Sequence, residues 1–454
     1  MTTPSDFSAE TNARIRCDWL IEAGWIIPVQ PAGLVLESHA LVIDGDRITA
    51  ILPIDEARAR YAPEAHVQRP GSVLMPGLVN AHTHNPMSLM RGVADDLALM
   101  PWLTEHVWPI ERAVMTPEFI ADGIELAVAE MIRGGTTCCN ENYFFPDAQA
   151  RTYDRLGFRA AISIPVIDFP SAWASNQDEY FDKGLAVHDQ YRSHPLLSFS
   201  MTPHAPYTVC DASFERIRRY AEQLDLPVHC HIHETAQEIT DSLNQYGQRP
   251  LARLDRLGLV NERLTAVHMT QMTSEEIALC AARGVSVVHC PQSNLKLASG
   301  FCPVGNLLSA GVNLAIGTDG CASNNDLDMF DELRTAALLA KAVSADATVF
   351  KAGQALHAAT LAGARAMGLE QHIGSLEPGK QADIIAIDLD RIEAAPVYDV
   401  VSQLVYAGAR HWVGDVWIAG RAKMLKRELQ DMDQERILST ARRWQKTIRE
   451  IPRP

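Results

Sequence analysis

Across residues 72–369, short apolar runs of strand character alternate with segments of helical period, and this alternation constrains the chain more than any other feature. The runs read LMPGLVNA, RAAISIPV, LLSFSMTP, LPVHCHIH, LTAVHM, VSVVHCP and VNLAIGTD, with helical spacing between them at 116–133, 212–224 and 274–283. Strands that are each followed by a helix build parallel sheet, because a parallel partner is reached only by a crossover. Seven or eight such units in about 300 residues suit a closed cylinder better than an open sheet. The expected class is α/β, with a (β/α)8 TIM-type barrel at its centre.

The flanks have a different texture. Residues 25–53 are β-rich runs broken by Pro-Ala-Gly and by the hairpin dipeptide Asp44-Gly45. DIIAID at 383–388 and VGDVWIA at 413–419 look the same. Both chain ends are therefore expected to build one small β-sandwich domain from 12–70 and 371–424, beside a barrel at 71–370. Residues 425–454 read as an exposed amphipathic helical tail whose basic residues face solvent.

Charge limits the partners. With 40 Lys and Arg against 56 Asp and Glu the formal charge is −16, a surface that repels phosphate backbones and anionic bilayers. No nucleic acid and no membrane are expected as partners, only a small-molecule substrate and further copies of the chain in a homo-oligomer. The polar start MTTPSDFSAETNARIRCDWL lacks the regions of a signal peptide, which points to a cytoplasmic protein. Nine cysteines without a CxxC pair read as reduced thiols.

Barrel enzymes carry their chemistry at the C-terminal ends of strands. Here those ends supply His82 and His84, His231 and Glu234, His268, and Asp319. Alternation along a strand puts His82 and His84 on one side, about 7 Å apart along the backbone and able to converge on one ion. Four imidazoles and a carboxylate at one topological level form a plausible metal centre with an acid/base partner.

The strings MPGLVNAHTH, HETAQE, AVHMTQ, HCPQSNLKLASG and GTDGCASNNDLDMF resemble the amidohydrolase superfamily. The last two are similar in particular to the 5'-methylthioadenosine/S-adenosylhomocysteine deaminases and the related triazine chlorohydrolases. The stretch GSLEPGKQADIIAID resembles part of that group's composite sandwich. The resemblance implies that His82, His84, His231 and Asp319 hold one divalent ion, expected to be Zn²⁺, with a position left open for water. Binuclear relatives carry a lysine at the fourth strand end; here LLSFSMTPHAPY offers His204 instead, so a mononuclear centre is expected.

The implied reaction is hydrolytic deamination at purine C6 of 5'-methylthioadenosine, with S-adenosylhomocysteine or adenosine as further substrates. Glu234 would protonate a ring nitrogen, Asp319 would accept the proton of the attacking water, and His268 would hold that water or the developing oxyanion. Glu111, in LTEHVWPIERAV, would accept hydrogen bonds from the ribose diol. His204 would contact the purine or the ribose, and Met87, Trp102 and Trp108 would line an apolar pocket for a 5'-thioether. Family members that bind S-adenosylhomocysteine place arginine after the third strand, whereas residues 167–187 offer only Lys183, a point charge without the bidentate fork. The competing readings are another amino- or chloro-substituted heterocycle (guanine, cytosine, pterin or triazine) and a non-catalytic scaffold. A free base has no diol for Glu111, and a scaffold should have lost its ligands.

Overall fold

The computed structural model describes residues 14–452. Most of the polar N-terminal run, residues 12–13 of the expected first segment and residues 453–454 of the expected tail lie outside the described residues.

The chain opens with β1 (Ile15–Ile26), β2 (Leu36–Asp44) and β3 (Arg47–Pro53), an antiparallel meander. A short helix, Ile54–Arg60, returns it to β4 (Tyr61–Pro76), which runs parallel to β1. The run LMPGLVNA is divided at Gly77. Residues up to Pro76 pair within the first sheet, and β5 (Leu78–Thr83) begins the barrel. A Cβ at position 77 would lie 2.1 Å from the Thr137 hydroxyl oxygen, so only glycine lets the strand pass between the two layers.

The barrel continues with β6 (Thr136–Glu141), β7 (Arg159–Val166), β8 (Leu197–Pro203), β9 (Val228–Ile232), β10 (Leu264–His268), β11 (Ser286–His289) and β12 (Asn313–Ile316). These eight strands follow one another in sequence order, each parallel to the next. Just past β12, the Asp319 N–H donates to the His82 carbonyl at 3.0 Å, and the Thr318 N–H donates to Asn80 Oδ1 at 3.0 Å. Last strand thus meets first, and the result is a (β/α)8 barrel. Almost every barrel-strand residue is buried, as expected when side chains fill the cylinder on one face and helices cover the other.

The crossover helices start where the sequence places capping groups. Thr116 accepts from the Phe119 N–H ahead of Pro117–Arg133, and Thr273 with Glu276 forms a capping box ahead of Ser274–Arg283. Along the first of these helices Ile120, Ile124 and Val128 recur at helical spacing and are buried against the barrel.

β13 (Ile384–Asp388), β14 (Val413–Ile418), β15 (Arg421–Leu425) and β16 (Glu428–Leu429) join β1–β4 in a second eight-stranded sheet, so both chain ends build one small β domain. The sheet closes over its own apolar face: Ile21, Leu41 and Ile43 share a core with Ile384, Ala386 and Trp417. Trp19 meets Trp417 edge to face at 5.8 Å.

The expectation of an exposed helical tail from Leu425 onward is corrected in its start and in its apolar face. Leu425 ends a strand, and the helix runs only over Gln434–Arg449, capped by Asp433. It is docked rather than free: Ile437 and Ile448 are buried, Trp444 packs edge to face on Phe119, and Trp444 Nε1 donates to Asp122. Arg436 and Arg443 pair with Glu125, Glu118 and Asp122 on the helix Pro117–Arg133. The basic residues of the helix stay exposed, as expected, while Arg436 and Arg443 also bridge to the neighbouring helix.

Candidate metal centre and active-site cavity

The strand ends converge at one mouth of the barrel. His82 lies on β5, one residue before its end, His84 follows it, His231 lies on β9, and Asp319 follows β12. One potential ligand atom from each of these four lies within 4.8 Å of all the others. Asp319 Oδ1 is 3.2 Å from His82 Nε2 and 3.1 Å from His84 Nε2, and the Nε2 atoms of His82 and His231 are 3.2 Å apart. Donors bound about 2.1 Å from one tetrahedral ion stand about 3.4 Å apart, so this nitrogen-rich set with one carboxylate fits a divalent cation.

A second layer aims these atoms. His84 Nδ1–H donates to the Asn142 carbonyl at 2.5 Å and His231 Nδ1–H to the His204 carbonyl at 2.7 Å, leaving each Nε2 lone pair directed at the centre. His82 Nδ1 meets His229 Nε2 at 2.7 Å. Asp319 Oδ2 accepts from the hydroxyls of Ser293 and Ser323 at 2.6 and 2.9 Å, which turns Oδ1 inward. Burial depresses His82 to about 4, so its imidazole is neutral and able to ligate. Burial alone would raise Asp319, but the His82 and His84 imidazoles against it hold it well below the ordinary carboxylate range.

His268 and Asp319 adopt left-handed backbone, with φ of +76 and +60, conformations that cost a non-glycine residue of order 1–3 kcal/mol. The strain coincides with the point where each chain leaves its strand. His268 Nδ1 is held by Asn294 Oδ1 at 2.8 Å, and its Nε2 stands 3.8 Å from Glu234 Oε2. Glu234 is buried, which raises its carboxyl against the opposing pull of His268. Its peptide is fixed by Glu238, the last residue of HETAQE, whose carboxylate accepts from the N–H groups of His233 and Glu234 at 3.1 and 2.7 Å.

A cavity of about 700 Å³ opens above the cluster. His84, His231 and Asp319 are on its floor side, and Glu111, His204, Glu234 and His268 also line it. Met87, Trp102 and Trp108 contribute apolar wall. Every site residue expected from the sequence is thus brought to this one cavity or, for His82, to the cluster beneath it. Glu111 is 7% exposed; burial pushes its carboxyl up to about 7, although the Tyr143 hydroxyl donates to it at 2.5 Å. Burial lowers His204 to about 4, and its Nδ1 contacts the Thr208 hydroxyl at 3.0 Å.

Two cations differ from expectation. Lys183 does not line the cavity; its ammonium donates to the Trp173 carbonyl and to Glu179. Arg112, unremarked in the sequence beside Glu111, lines the cavity, is exposed, and makes no hydrogen bond or ion pair among the described residues. His229, Asn142, Tyr143 and Ser293 are further residues that sequence reasoning missed. Only His229 carried a signal, since the two-residue period of VHCHI puts it on the same side as His231.

Comparisons with known proteins agree with this architecture. The profile of the amidohydrolase family matches residues 73–423. A 5-methylthioadenosine/S-adenosylhomocysteine deaminase of Teredinibacter turnerae is 48% identical over 431 residues, covering 95% of this chain and 98% of that protein. The protein of the same name from Saccharophagus degradans is 47% identical, covering 95% and 97%. The crystal structure of an adenosine deaminase from Xanthomonas campestris with bound zinc superposes with a TM-score of 0.95 at 62% identity, covering 96% of this chain and 100% of that one. An atrazine chlorohydrolase from Arthrobacter aurescens shares the fold at a TM-score of 0.87 and 24% identity, covering 94% and 99%. The matched profile spans most of the chain and the relatives nearly all of it, so the chain belongs to the amidohydrolase family, as a metal-dependent hydrolase of carbon–nitrogen bonds in cyclic amidines that carries out hydrolytic deamination.

Proposed function

We propose that the chain deaminates adenine nucleosides, 5'-methylthioadenosine and adenosine foremost, at one zinc ion held by His82, His84, His231 and Asp319. The observation that carries this reading is that two buried carboxyls of different surroundings, Glu234 and Glu111, line one cavity with the cluster. One suits the ring and the other the sugar.

When bound, the ion lowers the pKa of water and supplies a nucleophile at neutral pH. Glu234, its carboxyl raised by burial, holds the proton that ring N1 must receive before C6 becomes electrophilic. With the Asn294 carboxamide turned so that its otherwise unpartnered Nδ2 donates to Nδ1, His268 keeps its proton on Nε2, beside Glu234, and donates to the oxygen that builds up negative charge at C6. Asp319 takes the proton released by the attacking water. Asp319 passes that proton to the exocyclic nitrogen, the bond from C6 to this nitrogen breaks, ammonia departs, and the 6-oxo nucleoside remains as its hydroxyl proton returns to Glu234.

Glu111 accepts from the two ribose hydroxyls, which suit a carboxylate because it offers only acceptors. Neutral His204 hydrogen-bonds to the purine or ribose, and Met87, Trp102 and Trp108 receive the 5' substituent. Arg112 favours S-adenosylhomocysteine as a further substrate, since it offers the α-carboxylate a guanidinium that Lys183 does not.

An ultraviolet assay of the zinc-loaded protein across adenosine, methylthioadenosine, S-adenosylhomocysteine, guanine and a chlorotriazine tests the reading. Turnover of the nucleosides without turnover of guanine or triazine is expected. Absence of turnover with every nucleoside overturns it.

A further inference from the structure

Asn142 lines the same cavity and has no part in the chemistry above. It follows directly on β6 and is 7% exposed. Its backbone carbonyl accepts from His84, which places the residue beside the cluster. Its carboxamide makes no hydrogen bond among the described residues, and Nδ2 is buried without a partner. Buried amides are almost always paired, because leaving one unpaired forfeits its hydration without return. The missing partner is therefore sought in the ligand.

A carboxamide presents a donor and an acceptor side by side. The complementary edge on adenine is formed by N7, an acceptor, and the adjacent exocyclic amine, a donor. Topology favours the same edge. Glu234 follows β9 and Asn142 follows β6, three strands apart in a ring of eight, so the two stand on roughly opposite sides of the mouth. N1 and N7 flank C6 on opposite sides, and a purine that turns N1 to Glu234 turns N7 toward β6. Trp102 Nε1 and Thr202 Oγ1 are also buried, unpartnered and on this wall, but each offers a single polar atom.

We infer that Asn142 reads the N7 edge of the purine, Nδ2 donating to N7 and Oδ1 accepting from the exocyclic amine. The inference rests on the adenine-nucleoside reading. It makes Asn142 a specificity residue that distinguishes substrate from product. In the 6-oxo product N7 and O6 are both acceptors, and one carboxamide cannot donate to both in the paired geometry, so release is favoured.

The test uses the zinc-loaded enzyme and competitive inhibition by two adenosine analogues, 3-deazaadenosine, which keeps N7, and 7-deazaadenosine, which lacks it. Asn142→Ala is expected to weaken the 3-deaza analogue about 10- to 100-fold and the 7-deaza analogue at least about fivefold less. Asn142→Asp, which keeps the backbone carbonyl and the side-chain shape but not the donor, is expected to give the same pattern with unchanged zinc content. Equal weakening of the two analogues in both variants, or selective weakening of the 7-deaza analogue, overturns the inference while leaving the deaminase reading intact. A wild-type enzyme that neither deaminates adenosine nor binds either analogue removes the nucleoside reading and this inference with it.

Discussion

His82 Nδ1 lies 2.7 Å from His229 Nε2, and this contact decides which nitrogen of His82 is free to bind a metal. Burial keeps His229 well below its ordinary pKa, so it is neutral; it accepts through Nε2 with its own proton on Nδ1 when the Asn140 carboxamide, 3.1 Å away, is turned over so that its otherwise unpartnered Oδ1 takes that proton. His82 then carries its proton on Nδ1 and offers Nε2. Replacing His229 with phenylalanine removes the acceptor while filling most of the space. Zinc affinity should fall about 10- to 100-fold, with activity recovered at high zinc. Chelator competition on the folded protein measures it, and an unchanged affinity would show that His229 has no hold on the ligand tautomer.

Glu234 is the second test. Glu234→Gln keeps the shape and the backbone contacts to Glu238 but cannot deliver a proton to the ring. The expected loss in kcat is about 10²- to 10⁴-fold. KM and zinc content should stay near wild type, because Glu234 lies outside the four-residue cluster. A change confined to KM would reassign Glu234 to binding alone.

How far the site was legible in sequence follows from where each residue stands relative to its strand. Within β9, alternation correctly groups His231 with His229, but a reading confined to strand ends passes over the earlier one. Past Ile232 the alternation fails. His233 takes φ of +55, and its ring accepts from the Leu251 N–H instead of joining the cluster. Asn142 was illegible because an asparagine at a strand end looks like turn chemistry, and only the absence of a partner distinguishes it. The docking of the tail was illegible for a related reason: Arg436 and Arg443 are exposed, and the carboxylates they also pair with lie more than 300 residues away. Local spacing reports which side of an element a residue occupies, whereas contacts between distant segments exist only after closure.

Glu111 should trade stability for binding. Its carboxyl ionises near 4.5 when free and at about 7 in the folded protein. Below pH 4.5 the shift costs the fold nothing, between 4.5 and 7 the cost grows, and above 7 it is constant at about 3 kcal/mol at most. Glu111→Gln removes the ionisation and should raise the melting temperature at pH 8 more than at pH 5.5. The same substitution should reduce kcat/KM for nucleosides about 10- to 100-fold, since an amide accepts only one of the two ribose hydroxyls well. A melting-temperature gain independent of pH would show that Glu111 is not the group being neutralised.

Arg112 and Lys183 separate two ways of recognising a substrate carboxylate. The Lys183 ammonium is already engaged by the Trp173 carbonyl at 2.8 Å and by Glu179 at 3.2 Å, away from the cavity lining. Arg112 is exposed on the wall and unpaired among the described residues, one residue from the carboxyl proposed to hold the ribose. An exposed ion pair contributes about 0.2–1 kcal/mol, so Arg112→Ala should lower kcat/KM for S-adenosylhomocysteine by up to about fivefold and leave methylthioadenosine, which has no carboxylate, within about twofold. Lys183→Ala should change neither. Loss of S-adenosylhomocysteine turnover in the lysine variant alone would mean that the segment carrying Lys183 moves onto the substrate and that the free guanidinium is a bystander.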